Sequence, residues 1–144
     1  MLTLTQASTI VDVALQKGRD LKLQPLTVVV LDAGGQLKAL KREDNSSLLR
    51  PEIALGKAWG VLGMGFGGRE LARRAAQAPA FFSVLSDMSG GRMVPVPGGV
   101  LIRDNGGAIV GSVGISGDTS DQDEVCAVAG IQAAGLKADT GAPA

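Results

Sequence analysis

Val28-Val29-Val30-Leu31-Asp32-Ala33-Gly34-Gly35-Gln36-Leu37 decides the fold. Thr27 to Leu31 is a run of mostly β-branched apolar residues, the composition of a buried strand. Asp32-Ala33-Gly34-Gly35 is a turn signal. Gln36 to Lys41 then alternates polar with apolar residues, as a half-exposed strand does. Together they predict a hairpin. The pattern returns at Gly99-Val100-Leu101-Ile102-Arg103, Asp104-Asn105-Gly106-Gly107 and Ala108 to Ile115, so two similar hairpins are expected.

Outward from the first hairpin, Ile10, Val11, Ala14 and Leu21 recur at helical spacing, and Thr3 or Thr5 can cap that helix. Arg42 to Leu49 is polar and reads as a loop. Pro51 suits the first turn of a helix through Ala54, Ala58, Val61 and Leu62. The glycines of 63–68 interrupt it. Arg69 to Gln77 is helical again, and Phe81 to Met88 supplies one or two further turns. Met93-Val94-Pro95-Val96-Pro97 is extended, and its prolines put it at an edge or outside the sheet. Thr119 or Ser120 caps a final helix bearing Val125, Val128, Ala129, Gln132 and Leu136. Residues 138–144 are expected to fray. The order α, ββ, αα, βββ, α predicts an α+β domain over 1–144, with a single antiparallel sheet of about five strands and helices packed on it.

Composition narrows the function. With 144 residues the chain can bury a core without staples. Its 45% hydrophobic but only 3% aromatic content means that core is built from Val, Leu, Ile and Ala. Lys plus Arg equals Asp plus Glu, at 14 each, so nothing draws in a nucleic acid or an anionic membrane. Near-zero net charge also does not oppose self-association. The single cysteine, Cys126, forbids an internal disulfide and suits a reducing, cytoplasmic setting. No leader or membrane-spanning run is legible. There is no histidine and no tyrosine, which removes the usual general base and the usual metal and heme ligand.

Several residue groups are candidate sites. Arg50, Glu52 and Lys57 at a helix start read either as a carboxylate or phosphate clamp or as a solvated salt-bridged surface. Arg69 and Arg73 share a helix face and read as ligand contacts or exposed charge. Gly63, Gly65 and Gly68 fit G-x-G-x-x-G, but a helical pattern precedes them where a dinucleotide site requires a strand. They read as a break that lets two segments pack closely. Gly98 and Gly99 admit a flat ligand or another backbone, or form a turn. The acidic run Gly117 to Glu124 reads as a cation site, an acid/base pair or helix capping. Trp59 reads as core or interface ahead of a ligand stack, and Cys126 as an inert core thiol.

Three places carry a family resemblance: Val28 to Leu37, Ile53-Ala54 with Lys57-Ala58, and Pro97-Gly98-Gly99-Val100-Leu101-Ile102 followed by Gly111 to Gly117 and Gln122-Asp123-Glu124. Their order and spacing resemble the GlcG/HbpS family, also found beside corrinoid adenosyltransferases. The resemblance covers nearly the whole chain. It implies a profilin-like fold, assembly as a homo-oligomer from dimer to octamer, and in some members binding of heme or a related tetrapyrrole. This chain departs from the family in having Lys41-Arg42-Glu43-Asp44-Asn45 after the second strand and no histidine. Histidine-ligated heme is thereby excluded, which leaves Met64, Met88, Met93, Cys126 or propionate contacts alone.

The first functional expectation is therefore a binding module for a small acidic ligand, with Arg50, Lys57, Arg69 and Arg92 as the cations and Gly98 and Gly99 giving close approach. The alternative is an isomerase, lyase or hydrolase acting on a small carboxylate. A buried Glu52 or Asp123 would be its base, and no metal ligands are assigned. A structural or regulatory oligomer is the third. On the first two readings Lys57→Ala abolishes binding or turnover and spares assembly.

Overall fold

The computed structural model describes residues 1–143; Ala144, the end of the segment expected to fray, lies outside them. Helix α1 spans Leu4–Asp20, followed by strands β1 (Thr27–Asp32) and β2 (Leu37–Arg42). Three helices follow: α2 (Arg50–Met64), α3 (Gly68–Gln77) and α4 (Pro79–Met88). Strands β3 (Gly99–Arg103) and β4 (Ile109–Ser116), helix α5 (Ser120–Ala133) and strand β5 (Lys137–Asp139) complete the fold. The strands form one antiparallel sheet in the order β2-β1-β4-β3-β5, the α+β class expected.

The sheet is covered on both faces, and β1 shows why its sequence is apolar without a break. Side chains alternate across a strand. Val28 and Val30 join Ile10, Val11 and Ala14 of α1 and Cys126, Ala127 and Ile131 of α5 in one core. Val29 and Leu31 face the other way, onto Ala54 and Ala58 of α2. A third cluster, Val61, Leu71, Phe82, Met93 and Leu101, extends that second layer beneath α3 and α4. β2 is an edge strand and mostly exposed, Leu37 and Leu40 included, so it is more open than the half-exposed strand its alternation predicts.

The two hairpins use one device. Asp32 Oδ1 accepts from the Gly34 and Gln36 amides, each at 3.0 Å. Asp104 Oδ1 accepts from Gly106 and Ala108, each at 2.9 Å. A register shift precedes each aspartate, between Val30 and Leu31 and between Ile102 and Arg103. The equivalent strands β1 and β3 are not paired, since β1 pairs with β4; the hairpins are alike without being related across the sheet.

The segment 93–97 lies outside the sheet, one of the two placements its prolines allow, so it is not the strand counted in the order α, ββ, αα, βββ, α. It runs along α2, where the Val94 amide reaches Gly56 O at 3.4 Å, because two prolines deprive it of ladder donors. The fifth strand comes instead from the chain's end. Leu101 pairs with Asp139 and Ile102 with Ala138, so Ala138 and Asp139 occupy the free edge of β3 where fraying was expected. Finally, α4 is a ten-residue helix, longer than the one or two turns expected.

Thr3 is the cap of α1. Its hydroxyl accepts from the Gln6 amide and the Gln6 side chain returns to the Thr3 amide, a reciprocal capping box. Thr3→Ala is expected to lower the unfolding free energy by about 1 kcal/mol, measurable by urea denaturation with an unchanged slope.

Candidate functional site

Two separate arrangements emerge from the candidate residues. The first is an internal polar cluster. α2 starts at Arg50 with Pro51 in its first turn, and seven residues on it delivers Lys57 to the sheet. Lys57 is 3% exposed. Its Nζ donates to Ile115 O at 2.9 Å and to Asp123 Oδ2 at 3.1 Å. Asp123, 1% exposed, accepts at Oδ1 from the Asp118 amide at 3.1 Å. Arg50 Nη1 donates to Ser116 Oγ at 3.1 Å. Burial pushes the Lys57 ammonium below its usual value, a shift that Asp123 opposes and Arg50 reinforces. Burial pushes the Asp123 carboxyl up, against the attraction of Lys57. This is an ion pair taken out of water, joining α2, β4 and the start of α5.

Lys57 and Asp123 are both closed off from solvent, at 3% and 1% exposed. Gly98 and Gly99 are buried against the same helix. A Cβ at Gly99 would lie 2.5 Å from Lys57 O, and one at Gly98 2.9 Å from Lys57 Nζ. What approaches these glycines is the α2 backbone and its lysine. Glu52 corrects the base expected to be buried: it is exposed on α2. The acid/base reading thus loses its burial at Glu52 and its access at Asp123.

Arg69 is part of neither an open site nor the Lys57 cluster. Its Nε lies 3.0 Å from Oε1 and 2.9 Å from Oε2 of Glu124, and its Nη2 donates to Asp121 at 3.0 Å. It fastens α3 to the first turn of α5. The rest of the acidic run is similarly engaged. Thr119 Oγ1 caps the Gln122 amide, and Asp118 accepts from the amides of Gln24 and Thr119, which hold its carboxyl below the usual range. Capping and cross-linking account for these residues.

The second arrangement is a surface cleft of about 220 Å³ between α2, α4 and the segment after α4. Its lining includes Trp59, Met64, Leu85, Met88, Arg92 and Met93. Trp59 and Gly63 are successive turns of α2, and Met88 ends α4. The Arg92 guanidinium stacks 4.3 Å over the Trp59 ring, with Nε held by Ser89 O at 2.8 Å. Three thioethers, one flat indole and one cation therefore border the same apolar hollow. Arg92 alone of the six predicted ligand contacts lies there. Cys126 does not. It is fully buried in the opposite layer, and burial pushes its thiol up to about 11, an inert core thiol as expected. The sequence reading names each methionine singly. Only the return of the chain after α4 brings Met88 and Met93 to Met64, a contact no spacing encodes.

The G-x-G-x-x-G stretch runs from the last turn of α2, which still includes Gly63, to the first residue of α3, Gly68, with a helix before it as its preceding pattern implies. A Cβ at Gly67 would fall 2.1 Å from the Thr140 carbonyl carbon, so this break lets the segment after β5 pack on the start of α3.

Comparison with known proteins agrees with this architecture. A solved complex described as PduOC with heme superposes with a TM-score of 0.84 at 26% identity, covering 98% of this chain and 99% of that one. The crystal structure of HbpS gives 0.79 at 29% identity, covering 91% of this chain and 88% of the other. The corrinoid adenosyltransferase PduO of Citrobacter freundii is 27% identical over 86% of this chain and 36% of its own length. The chain spans about a third of the curated relatives it matches. The family model described as haem degrading protein HbpS-like matches residues 2–132, and with nine-tenths of its length accounted for in this way, the chain belongs to the HbpS-like family.

Proposed function

We propose that this chain binds a tetrapyrrole, heme first among them, at the Trp59–Arg92 cleft. The observation that carries the reading is the meeting of Met64, Met88 and Met93 with Trp59 and Arg92 in one apolar hollow. The solved heme complex of a relative supports the ligand class. The donor set fits the group. Thioethers are soft ligands used for heme iron, indole offers a flat apolar wall, and a guanidinium suits a propionate. With no histidine in the sequence, a thioether is the side chain offered to iron here. Bound heme supplies iron-centred redox chemistry; the residues bind it, orient it and pair its carboxylates.

At about 220 Å³ the cleft is smaller than the roughly 300 Å³ at which sites begin to enclose a drug-sized ligand. It grips part of a macrocycle and leaves the rest to solvent or to a second copy. Phe81, Val84 and Met88 are exposed along one face of α4 beside it, which supports self-assembly through that face. No helix among the described residues is long and apolar enough to cross a membrane.

Titration with heme, followed by absorbance, is expected to give a saturable Soret shift. Arg92→Gln should weaken it about tenfold, the loss of one charge-assisted contact of ~1.4 kcal/mol. Replacing Met64, Met88 and Met93 singly with Leu should identify, by its spectral change, which thioether would hold the iron. A featureless titration overturns the reading, and full affinity in the Arg92 variant removes the ligand from this cleft.

A further inference from the structure

We propose that a second cleft, on the far side of the α2–α3 turn, binds a small dianion of the phosphate or dicarboxylate kind. The cleft measures about 510 Å³ and is polar. It lies between Phe66, the face of α3, the end of β3 and the segment after β5, and it shares no lining residue with the Trp59 cleft.

Its charges do not balance. Arg73, Arg74 and Arg103 line it, against Glu70 and Asp139. Among the described residues of the lining, three guanidiniums face two carboxylates, an excess of one positive charge, in a chain whose overall net charge is zero.

The arginines are held without being used up. Glu70 takes Arg74 Nε at 3.0 Å through one oxygen and Arg73 through the other, and the two guanidiniums hold its carboxyl below the usual range. Arg73 also reaches Gly141 O. Arg103 Nε donates to Asp139 Oδ2 and Nη1 to Gly107 O, each at 2.9 Å. Arg74 is further fixed by lying 4.1 Å over the Phe66 ring. Among the described residues this leaves Arg73 Nη1, both terminal nitrogens of Arg74 and Arg103 Nη2 without a protein acceptor. Arg74 thus keeps its whole Nη1–Nη2 edge free, and Arg73 and Arg103 each keep one terminal nitrogen.

A planar fork fixed in this way at Arg74, with single donors from Arg73 and Arg103 beside it, suits the oxygens of a phosphate or carboxylate. Orienting them beforehand removes rotamer entropy that binding would otherwise cost. The only aromatic ring in the lining is already covered by Arg74, so nothing here stacks a nucleobase, and a small anion is favoured over a nucleotide. The scaffold is made by distant parts of the chain. Asp139, which orients Arg103, also accepts the Gly141 amide at 3.0 Å, so β5 and the residues after it build one wall.

The test is calorimetric titration of the full chain with inorganic phosphate and, separately, succinate at low ionic strength. Saturable binding is expected for at least one, weakened fivefold or more by both Arg74→Gln and Arg103→Gln. Arg19→Gln, which neutralises an arginine outside the cleft, should leave it unchanged. Thermal midpoints near that of the unaltered protein show that the variants fold, and two variants guard against the failure of either. Binding of phosphate alone assigns the site to phosphate, and of succinate alone to dicarboxylates. No saturable binding of either anion, or equal weakening by Arg19→Gln, overturns the proposal.

Discussion

Lys57→Met is expected to cost about 3–5 kcal/mol of unfolding free energy, the range for breaking a buried ion pair by removing one partner. The change deletes the ammonium and leaves the Asp123 carboxylate 1% exposed, with the Asp118 amide as its remaining donor. Ile115 O loses its lysine donor too. Lys57→Met/Asp123→Leu removes both charges and should recover most of the loss, because paired buried charges contribute little over apolar groups of similar volume. Urea denaturation of the two single variants and the double variant measures the coupling. A loss below about 1 kcal/mol for Lys57→Met would show that water reaches the pair. The folded Lys57→Met protein should still take up heme with unchanged affinity, since Lys57 does not line the Trp59 cleft. That outcome separates a sealed structural lysine from the ligand-holding lysine expected from sequence, whose loss abolishes binding.

The same pair predicts an unusual pH dependence. Asp123 is raised on folding. Between 3.8 and its folded value the native state therefore binds more protons than the unfolded state, and stability falls as pH rises through that window. Lys57 is lowered on folding. Between its folded value and 10.5 the unfolded state binds more protons, and stability rises with pH. The unaltered protein should therefore compare least favourably with the double variant near neutral pH and improve relative to it toward both extremes. Taking the difference between the two cancels the surface carboxylates, which both share.

Sequence reading reaches the fold because its signals are local and period-bound. The run Thr27 to Leu31 declares a strand buried on both faces, Asp32 and Asp104 declare their turns, and Thr119 declares a cap, each within a few residues. It fails where the deciding partner is remote. β5 carries only three residues, Lys137–Asp139, too few for periodicity, and exists because β3 has a free edge. Glu52 and Lys57 look alike in sequence as charges near a helix start. One faces solvent and the other faces β4, and that difference follows from the angle at which α2 lies on the sheet. The Trp59 cleft is half legible: Met64, Met88 and Met93 stand out in the sequence, but the Arg92–Trp59 stack joins residues on different elements. The signal that could have found it is negative. A chain lacking histidine and with one tryptophan leaves few ways to hold a flat ligand.

Gly114→Ala is expected to cost more than about 4 kcal/mol, at the rare end of single substitutions. Gly114 stands on β4 directly beneath α2. A Cβ there would lie 1.9 Å from Ala54 O and 2.8 Å from the Ala58 amide nitrogen. Both are backbone atoms inside the helix, so no rotamer change relieves the overlap. Gly99, paired with Gly114 across β3 and β4, presses on Lys57 O in the same way. The two glycines form a trough in which the α2 backbone rests, with Ala54 and Ala58 as the small residues that let it descend. Pushing α2 outward to admit one methyl would open the Val29–Leu31 layer and pull Lys57 from Ile115 and Asp123. A loss of this size is a large part of the 5–15 kcal/mol that holds a typical domain together. Gly106→Ala is the control: its nearest neighbour, Asp104 Oδ1, is 3.4 Å from the new carbon, so a change within about 0.5 kcal/mol is expected. Thermal unfolding of the two variants decides the matter. A Gly114→Ala protein as stable as the Gly106→Ala control would mean that α2 does not rest on the sheet as described, and the burial of Lys57 and the seating of Trp59 would have to be rebuilt with it.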